Sequence, residues 1–258
     1  MSTDLKVIIT GASTGIGRAL ALEYAARGAT LGLMARREEL LVQLASSLPV
    51  RSYTYAVDVR DAGALEIAAQ DFVAHAGWPD IVIANAGVSA GTLTGEPTDN
   101  AVFEEVMATN LIGMMLTFQP FVEAMRRDRK GILVGIASVS GFRGLPGASA
   151  YCASKAAAIS YLESLRVELH GSGVSVVTIC PGYIATPLTA RNPYRMPFLM
   201  DAKVAARKMT IAIDRRKRFY VLPWQMAIVG RVLRCLPRWL YDVLFARAPR
   251  KPRRAAGA

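Results

Sequence analysis

VIITGASTGIG, residues 7–17, carries an apolar strand straight into a glycine-rich turn and out into a helix. Val7–Thr10 reads as a buried strand. Gly11, Gly15 and Gly17 follow in the spacing G-x-x-x-G-x-G, which differs from the G-x-G-x-x-G of the common dinucleotide fingerprint. Glycines permit a tight turn and close backbone approach. A helix start adds free N–H groups and the positive end of its dipole. Gly11, Ser13, Thr14, Gly15, Ile16 and Gly17 are therefore a candidate cradle for a pyrophosphate. Such a cluster alone also suits a plain turn; its place between the first strand and the first helix favours a ligand.

Outward from this turn, short apolar runs alternate with amphipathic stretches. Further strands are expected at Thr30–Ala35, Val50–Val57, Asp80–Ala84, Ile132–Ala137 and Val174–Ile179. Helices are expected at Arg18–Arg27, Glu38–Leu48, Ala62–His75, Val102–Met125 and Ser149–Leu169. Strands apolar on both faces and separated by helices imply an α/β chain, its parallel sheet covered by helices on both sides. With 258 residues, 52% of them apolar, the chain can build one large core. Pro187–Phe198, rich in Pro, Arg and Asn, breaks the alternation and is expected to form a mobile loop near the ligand site.

The second strand ends Met34-Ala35-Arg36-Arg37, with no acid at its tip. An acidic residue there would suit the ribose hydroxyl of NAD, whereas arginine accommodates the 2′-phosphate of NADP. NADP is the expected cofactor, with Arg36 the stronger candidate and Arg18 and Arg37 as helpers. Both arginines of the pair also suit the start of a solvated helix.

Tyr151 and Lys155, in YCASK, stand four residues apart and share one helix face. An ammonium beside a phenol favours the phenolate and is expected to lower the phenol pKa from about 10. Such a tyrosine can exchange a proton with a substrate oxygen. Ser138, upstream in ASVSG, can hydrogen-bond the same oxygen. Ser140 stands nearby, but the gap to the tyrosine favours Ser138.

Taken together, these residues resemble the short-chain dehydrogenase/reductase family. The ordered set is TGASTGIG (10–17), Asp58-Val59, Asn85-Ala86-Gly87, Asn110, Ser138, Tyr151 with Lys155, and Pro181-Gly182 with Thr186. The resemblance implies a doubly wound, Rossmann-like fold. It also implies Asp58 and Val59 near the adenine, Asn85, Ala86 and Gly87 along the cofactor cleft, and Pro181, Gly182, Ile184 and Thr186 near the nicotinamide. By the same analogy Lys155 holds the ribose hydroxyls, and Asn110 positions a water in a proton relay. Homo-oligomers are common in the family.

Composition closes off other chemistries. Cys152, Cys180 and Cys235 lie far apart, and His75 and His170 are the only histidines. This argues against a disulfide framework and a transition-metal centre, and it fits a reducing, cytoplasmic setting. No G-x-S-x-G elbow points to a hydrolase. Met1–Lys6 shows no basic leader or cleavage site, and no uncharged apolar run reaches the length of a membrane span.

Charge is uneven. Residues 215–258 hold twelve of the 31 Lys and Arg but only Asp242 among the acids, and so carry the whole net charge of +11. A boundary is expected after residue 214, between a catalytic domain and a basic, apolar extension. Arginine-bordered apolar residues such as Ile228, Val232, Trp224 and Trp239 suit an anionic membrane surface. They equally suit a lid over the substrate pocket or an oligomer interface, and the final basic residues suit a disordered tail. No module for nucleic acid accompanies the charge.

The expected activity is NADPH-dependent reduction of a ketone or aldehyde, with the apolar extension favouring a hydrophobic substrate. Two alternatives stand beside it: an NADP-dependent alcohol or sugar dehydrogenase working oxidatively, and an NADP-binding regulatory or scaffolding protein. Specificity is expected in the loops Val88–Thr98, Phe142–Ala148 and Ala185–Met200.

Overall fold

Seven strands form one sheet in which every neighbouring pair is parallel. In chain order they are β1 Lys6–Thr10, β2 Thr30–Ala35, β3 Ser52–Ala56, β4 Ile81–Ala84, β5 Gly131–Ile136, β6 Val174–Pro181 and β7 Phe219–Leu222. Their spatial order is β3-β2-β1-β4-β5-β6-β7. The chain winds outward from β1 through β2 to β3, then returns to the other flank of β1 as β4. Direction reverses there, so a crevice opens at the carboxyl ends of β1 and β4, where open α/β sheets take ligands. This is a computed structural model, and it describes residues 5–253.

Side-chain alternation assigns each strand residue to one of two cores. Val7 and Ile9 enter the core under α1 (Gly15–Ala25), α2 (Glu38–Ser46) and α7 (Ala202–Asp214), while Ile8 enters the opposite one. That second core lies under α3 (Ala62–Ala76), α5 (Gly113–Arg127) and α6 (Ser149–Glu168), and holds Phe72, Phe118 and Leu162. Each fully buried side chain of this size contributes about 1.5–3 kcal/mol. Both faces are thus apolar, as the continuous apolar strands require.

The single helix expected over Val102–Met125 is instead three pieces. Helix α4 (Asn100–Met107) passes into a π-helical turn, Ala108–Ile112, before α5 begins. Such turns re-aim one residue of a helix and recur at functional sites. The residue at the centre of this one is Asn110. Pro97–Arg127 is long and apolar enough to cross a membrane by composition, since an 18-residue window within it has a mean hydropathy of 1.3. Here Met114, Phe118, Phe121 and Met125 of this run pack into the sheet core.

The boundary expected at residue 214 does not divide the fold. Phe219–Leu222 pairs with β6 from Thr178↔Phe219 to Pro181↔Leu222, as the seventh strand of the same sheet. The basic run Arg215–Arg218 suggested an appendage, but charge reports what solvent touches and not which backbone pairs. Beyond β7, α8 (Trp224–Cys235) and α9 (Arg238–Phe245) complete the described helices. Arg254, counted with the basic end of the chain, lies outside the described residues, as do Met1–Asp4.

Candidate active site

The crevice at the reversal point is a cleft of about 370 Å³. The turn after β1 gives it Gly11, Ser13, Thr14, Gly15 and Ile16. The end of β2 gives Arg36 and Arg37, the end of β3 Asp58 and Val59, and the end of β4 Asn85, Ala86 and Gly87. Ser138 follows β5, Tyr151 and Lys155 stand on α6, and Pro181, Gly182, Ile184 and Thr186 come from the end of β6 and beyond. Of the site residues named from sequence, Gly17 and Asn110 do not line it. Arg18, named as a helper, does not line it either.

Gly11 and Gly17 explain the glycine spacing. Gly11 adopts φ +67°, and a Cβ there would sit 2.8 Å from Ala86 Cα. A Cβ on Gly17 would collide with the Gly11 carbonyl and with Asn85 Nδ2. Gly17 thus serves helix–strand packing. Asn85 staples the turn: its Nδ2 donates to the carbonyls of Thr10 (2.9 Å) and Gly11 (3.3 Å). Its own N–H donates to Thr10 Oγ1 at 3.1 Å. The ends of β1 and β4 are thereby fixed together around the cleft.

Helix α1 starts at Thr14 without a side-chain cap, so its first N–H groups stay open at the cleft. Arg37 turns back over this turn and donates to Ser13 Oγ (3.2 Å) and Thr14 Oγ1 (3.1 Å). Arg36 leans the other way, 3.9 Å from an oxygen of Asp58. Of the two arginines, Arg37 is the one held against the glycine turn. Asp58 is gripped mainly by Arg60, at 2.6 Å, which holds its carboxyl below the usual carboxylate range. The uncapped helix start, an arginine at its mouth and a backbone stripped of side chains fit a dinucleotide phosphate.

At the far end of the cleft, Ser138 is buried; its Oγ accepts from Ser140 N (3.1 Å) and donates to Pro181 O (3.4 Å). Lys155 is buried one helical turn beyond Tyr151, and its Nζ donates to Ile136 O at 2.8 Å. The Nζ lies 6.0 Å from the Tyr151 ring centroid. Asn110 is fully buried; its Oδ1 accepts from Val88 N (2.8 Å), and its Nδ2 donates to Val88 O (3.0 Å) and Ser154 Oγ (3.0 Å). A Cβ on Gly87 would lie 3.1 Å from Asn110 Oδ1 and 3.7 Å from Lys155 Nζ, so the two residues converge behind that glycine.

Electrostatics here departs from the sequence expectation. Burial pushes the Tyr151 phenol up to about 12, against a smaller opposing pull from the Ser138 hydroxyl. Burial also brings the Lys155 ammonium down, to about 8. Helical spacing reveals that two side chains share a face but not that the face is buried, and burial decides both shifts.

Several lining residues escaped the sequence reading: Ala35, Val57, Thr109, Ile136 and Ala137, whereas Val88 and the turn Pro187–Thr189 fall in loops expected near the substrate. Most flank a motif residue at a strand end. At the start of Pro187–Phe198, Thr189 Oγ1 accepts from Thr186 N at 3.0 Å. The base of this loop is closed by a parallel bridge between Ile184 and Met200. Tyr183 and Tyr194 pack edge to face, with ring centroids 6.5 Å apart.

The C-terminal helices grip the loop after β5. Phe142 packs on Gly230, the Arg234 guanidinium lies 5.2 Å from its ring centroid, and Tyr241 Oη donates to Gly144 O at 2.6 Å.

A family model described as short chain dehydrogenase matches residues 5–195. The chain belongs to the short-chain dehydrogenase/reductase family. A Myxococcus xanthus protein named "Uncharacterized oxidoreductase" is 39% identical over 240 residues, which span 91% of this chain and 94% of that one. A solved short-chain dehydrogenase from Streptomyces avermitilis superposes with a TM-score of 0.79 at 27% identity, over 88% of this chain and 92% of the other. An alcohol dehydrogenase from Thermococcus sibiricus, complexed with 5-hydroxy-NADP, superposes with a TM-score of 0.74 at 25% identity, over 84% and 94%. This dehydrogenase/reductase chain is therefore an NAD(P)-dependent oxidoreductase with the Rossmann-like sheet of its family. The family acts on small molecules and often forms oligomers.

Proposed function

We propose that the chain is an NADPH-dependent carbonyl reductase that converts a ketone or aldehyde to an alcohol. The observation that carries this reading is the meeting of buried Ser138 and Lys155 with half-buried Tyr151 at one end of a cleft whose other end is cationic. Arg37, with Arg36 beside it, would hold the 2′-phosphate of the cofactor. Ser13 to Ile16 would hold the pyrophosphate, and Asp58 and Val59 would meet the adenine. Asn85 to Gly87, Pro181, Gly182, Ile184 and Thr186 would line the remainder, and Lys155 would hold the ribose hydroxyls. When bound, the reduced nicotinamide supplies a hydride to the carbonyl carbon.

Tyr151 gives its phenolic proton to the carbonyl oxygen as charge grows there, and Ser138 orients that oxygen with its hydroxyl. A phenol pKa pushed up to about 12 keeps this proton in place at neutral pH until charge grows on the carbonyl oxygen. Asn110 holds Val88 and Ser154, and so fixes the wall behind Gly87 against which Lys155 stands. A binding or scaffolding protein would not need Asn110, Ser138 and Lys155 buried around the Tyr151 hydroxyl.

The test is NADPH oxidation, followed by absorbance, against a panel of ketones and aldehydes that includes long-chain members. Tyr151→Phe is expected to lower turnover at least about a thousandfold while leaving NADPH binding intact, as loss of a general acid does. Wild-type rates in that variant, or silence of the wild type across the whole panel, would refute the reading.

A hydrophobic substrate fits Tyr183, Tyr194 and Leu188 near the cleft. A homo-oligomer fits the family habit. Trp224, Ile228 and Val232 on α8, and Trp239, Val243 and Leu244 on α9, are exposed and bordered by Arg231 and Arg238. That face supports peripheral attachment to an anionic membrane, on its cytoplasmic side.

A further inference from the structure

Past α9 the chain does not trail away. Residues 246–253 run back over the loops that follow β4 and β5. Gly91 N donates to Pro252 O at 2.8 Å, and Gly91 forms a parallel bridge with Arg253. A Cβ on Gly91 would collide with the carbonyl of Lys251, so this strand-like docking needs glycine there. Arg253 then anchors the end. Its Nε donates to both oxygens of the buried Asp99 (3.0 and 3.2 Å), and its terminal nitrogen reaches Asp99, Glu96 and Thr98. A forked guanidinium–carboxylate pair of this kind fixes geometry as well as position.

Between these two anchors the strap turns one side chain inward. The Lys251 ammonium donates to Ser89 Oγ and lies 4.7 Å from the ring centroid of Tyr151. Among the described residues no carboxylate lies within ion-pair distance of it; the strap's acidic partners are all taken by Arg253. Its other close neighbour is Cys152, whose thiol is kept neutral by burial. A half-buried ammonium with no carboxylate beside it among the described residues is poised to receive an anionic group.

We propose that Lys251, delivered by the C-terminal strap, is a specificity-determining residue that binds an anionic group of the substrate beside Tyr151. This inference rests on the carbonyl-reductase reading and narrows it: the substrate is a carbonyl compound bearing a carboxylate, received by Lys251 with the Ser89 hydroxyl at its side. Arg253 and Gly91 are positioning residues, acting only through the strap.

The experiment pairs oxo-carboxylates of graded chain length with their methyl esters, and it has two arms. In the first, wild type is expected to favour one acid over its ester in kcat/KM, and Lys251→Met to cut that acid-to-ester ratio by about tenfold to a hundredfold, the loss of one charge-assisted hydrogen bond. Lys251→Arg should restore part of it. Arg253→Ala should lower the ratio in the same sense, through a higher KM for the acid. In the second arm, which needs no turnover, the matching hydroxy-carboxylate should raise the melting temperature of wild type with NADP and not that of Lys251→Met. A wild type that prefers the esters, a ratio unchanged in Lys251→Met, or equal thermal shifts in both proteins would overturn the proposal. Absence of NADPH oxidation with acids and esters alike would instead defeat the carbonyl-reductase reading, and the thermal arm would still decide the role of Lys251.

Discussion

Replacing Lys155 with methionine should make this protein more stable while removing its activity. Lys155 is buried, its ammonium compensated by one backbone carbonyl and, among the described residues, by no carboxylate. Burial takes its pKa from 10.5 to about 8, which at roughly 1.4 kcal/mol per pH unit means a charged lysine disfavours the fold by about 3 kcal/mol. Methionine fills nearly the same volume without the charge. It forfeits the bond to Ile136 O, which offsets about 1 kcal/mol. A net gain of about 2 kcal/mol at neutral pH follows, or a rise in Tm of roughly 4–8 °C for a chain of this size.

The pH dependence identifies the cause. Up to about pH 8 the lysine is protonated in both folded and unfolded chains, and the full penalty applies. Between about 8 and 10.5 the unfolded chain holds the proton and the folded one has released it, so wild-type stability rises with pH relative to the variant. The advantage of Lys155→Met should therefore be complete at pH 7, vanish near about pH 10 and be slightly reversed by about pH 10.5. Urea unfolding of both proteins, followed by circular dichroism across that range, measures the difference directly, since groups titrating alike in both cancel. A variant less stable than wild type at pH 7, or a gap that stays constant with pH, would refute the argument.

Two further outcomes follow from the site and from the C-terminal face. Arg37→Ala should weaken NADPH binding about tenfold in a fluorescence titration and leave NADH little changed, with a smaller effect from Arg36→Ala, whose guanidinium is already drawn toward Asp58; tighter binding of NADH than NADPH by wild type would end the NADP assignment. Joint replacement of Trp224, Trp239 and Val243 by serine should abolish flotation with anionic liposomes if α8 and α9 lie on a membrane, whereas a change in oligomeric state without any change in flotation would assign the same face to a second copy of the chain. A truncation at residue 214 cannot serve this purpose, because it removes β7 from the sheet.

The sheet was readable in the chain because its strands are apolar on both faces and alternate with helices of a different period. The phosphate turn was readable because glycine spacing records where a Cβ cannot fit, as Gly11 and Gly17 show. What stayed hidden depends on three-dimensional surroundings. The π-turn at Asn110 leaves no trace in a helical pattern. Which of Arg36 and Arg37 turns over the glycines depends on the path of the chain after β2. The Tyr151 phenol moves opposite to expectation because spacing gives adjacency without burial. The strand Phe219–Leu222 was masked by the arginines that precede it, since four residues are too few to show a period.

The excess charge of the C-terminal segment, a single feature when read along the chain, separates into different jobs once folded. Arg253 neutralises Asp99 and Glu96 on the loop after β4. Arg234 lies over Phe142 and Lys217 over Tyr220, each covering an aromatic face at the end of the sheet. Lys251 enters the neighbourhood of Tyr151. Arg231 and Arg238 remain exposed beside the apolar residues of α8 and α9. A net charge of +11 therefore does not describe one surface. The inward-facing part ties the end of the chain to the mouth of the catalytic cleft, and only the outward-facing part is available to an anionic membrane. Binding through the outer face would hold α8 and α9, and with them the strap that carries Lys251, against the loops that shape the substrate site.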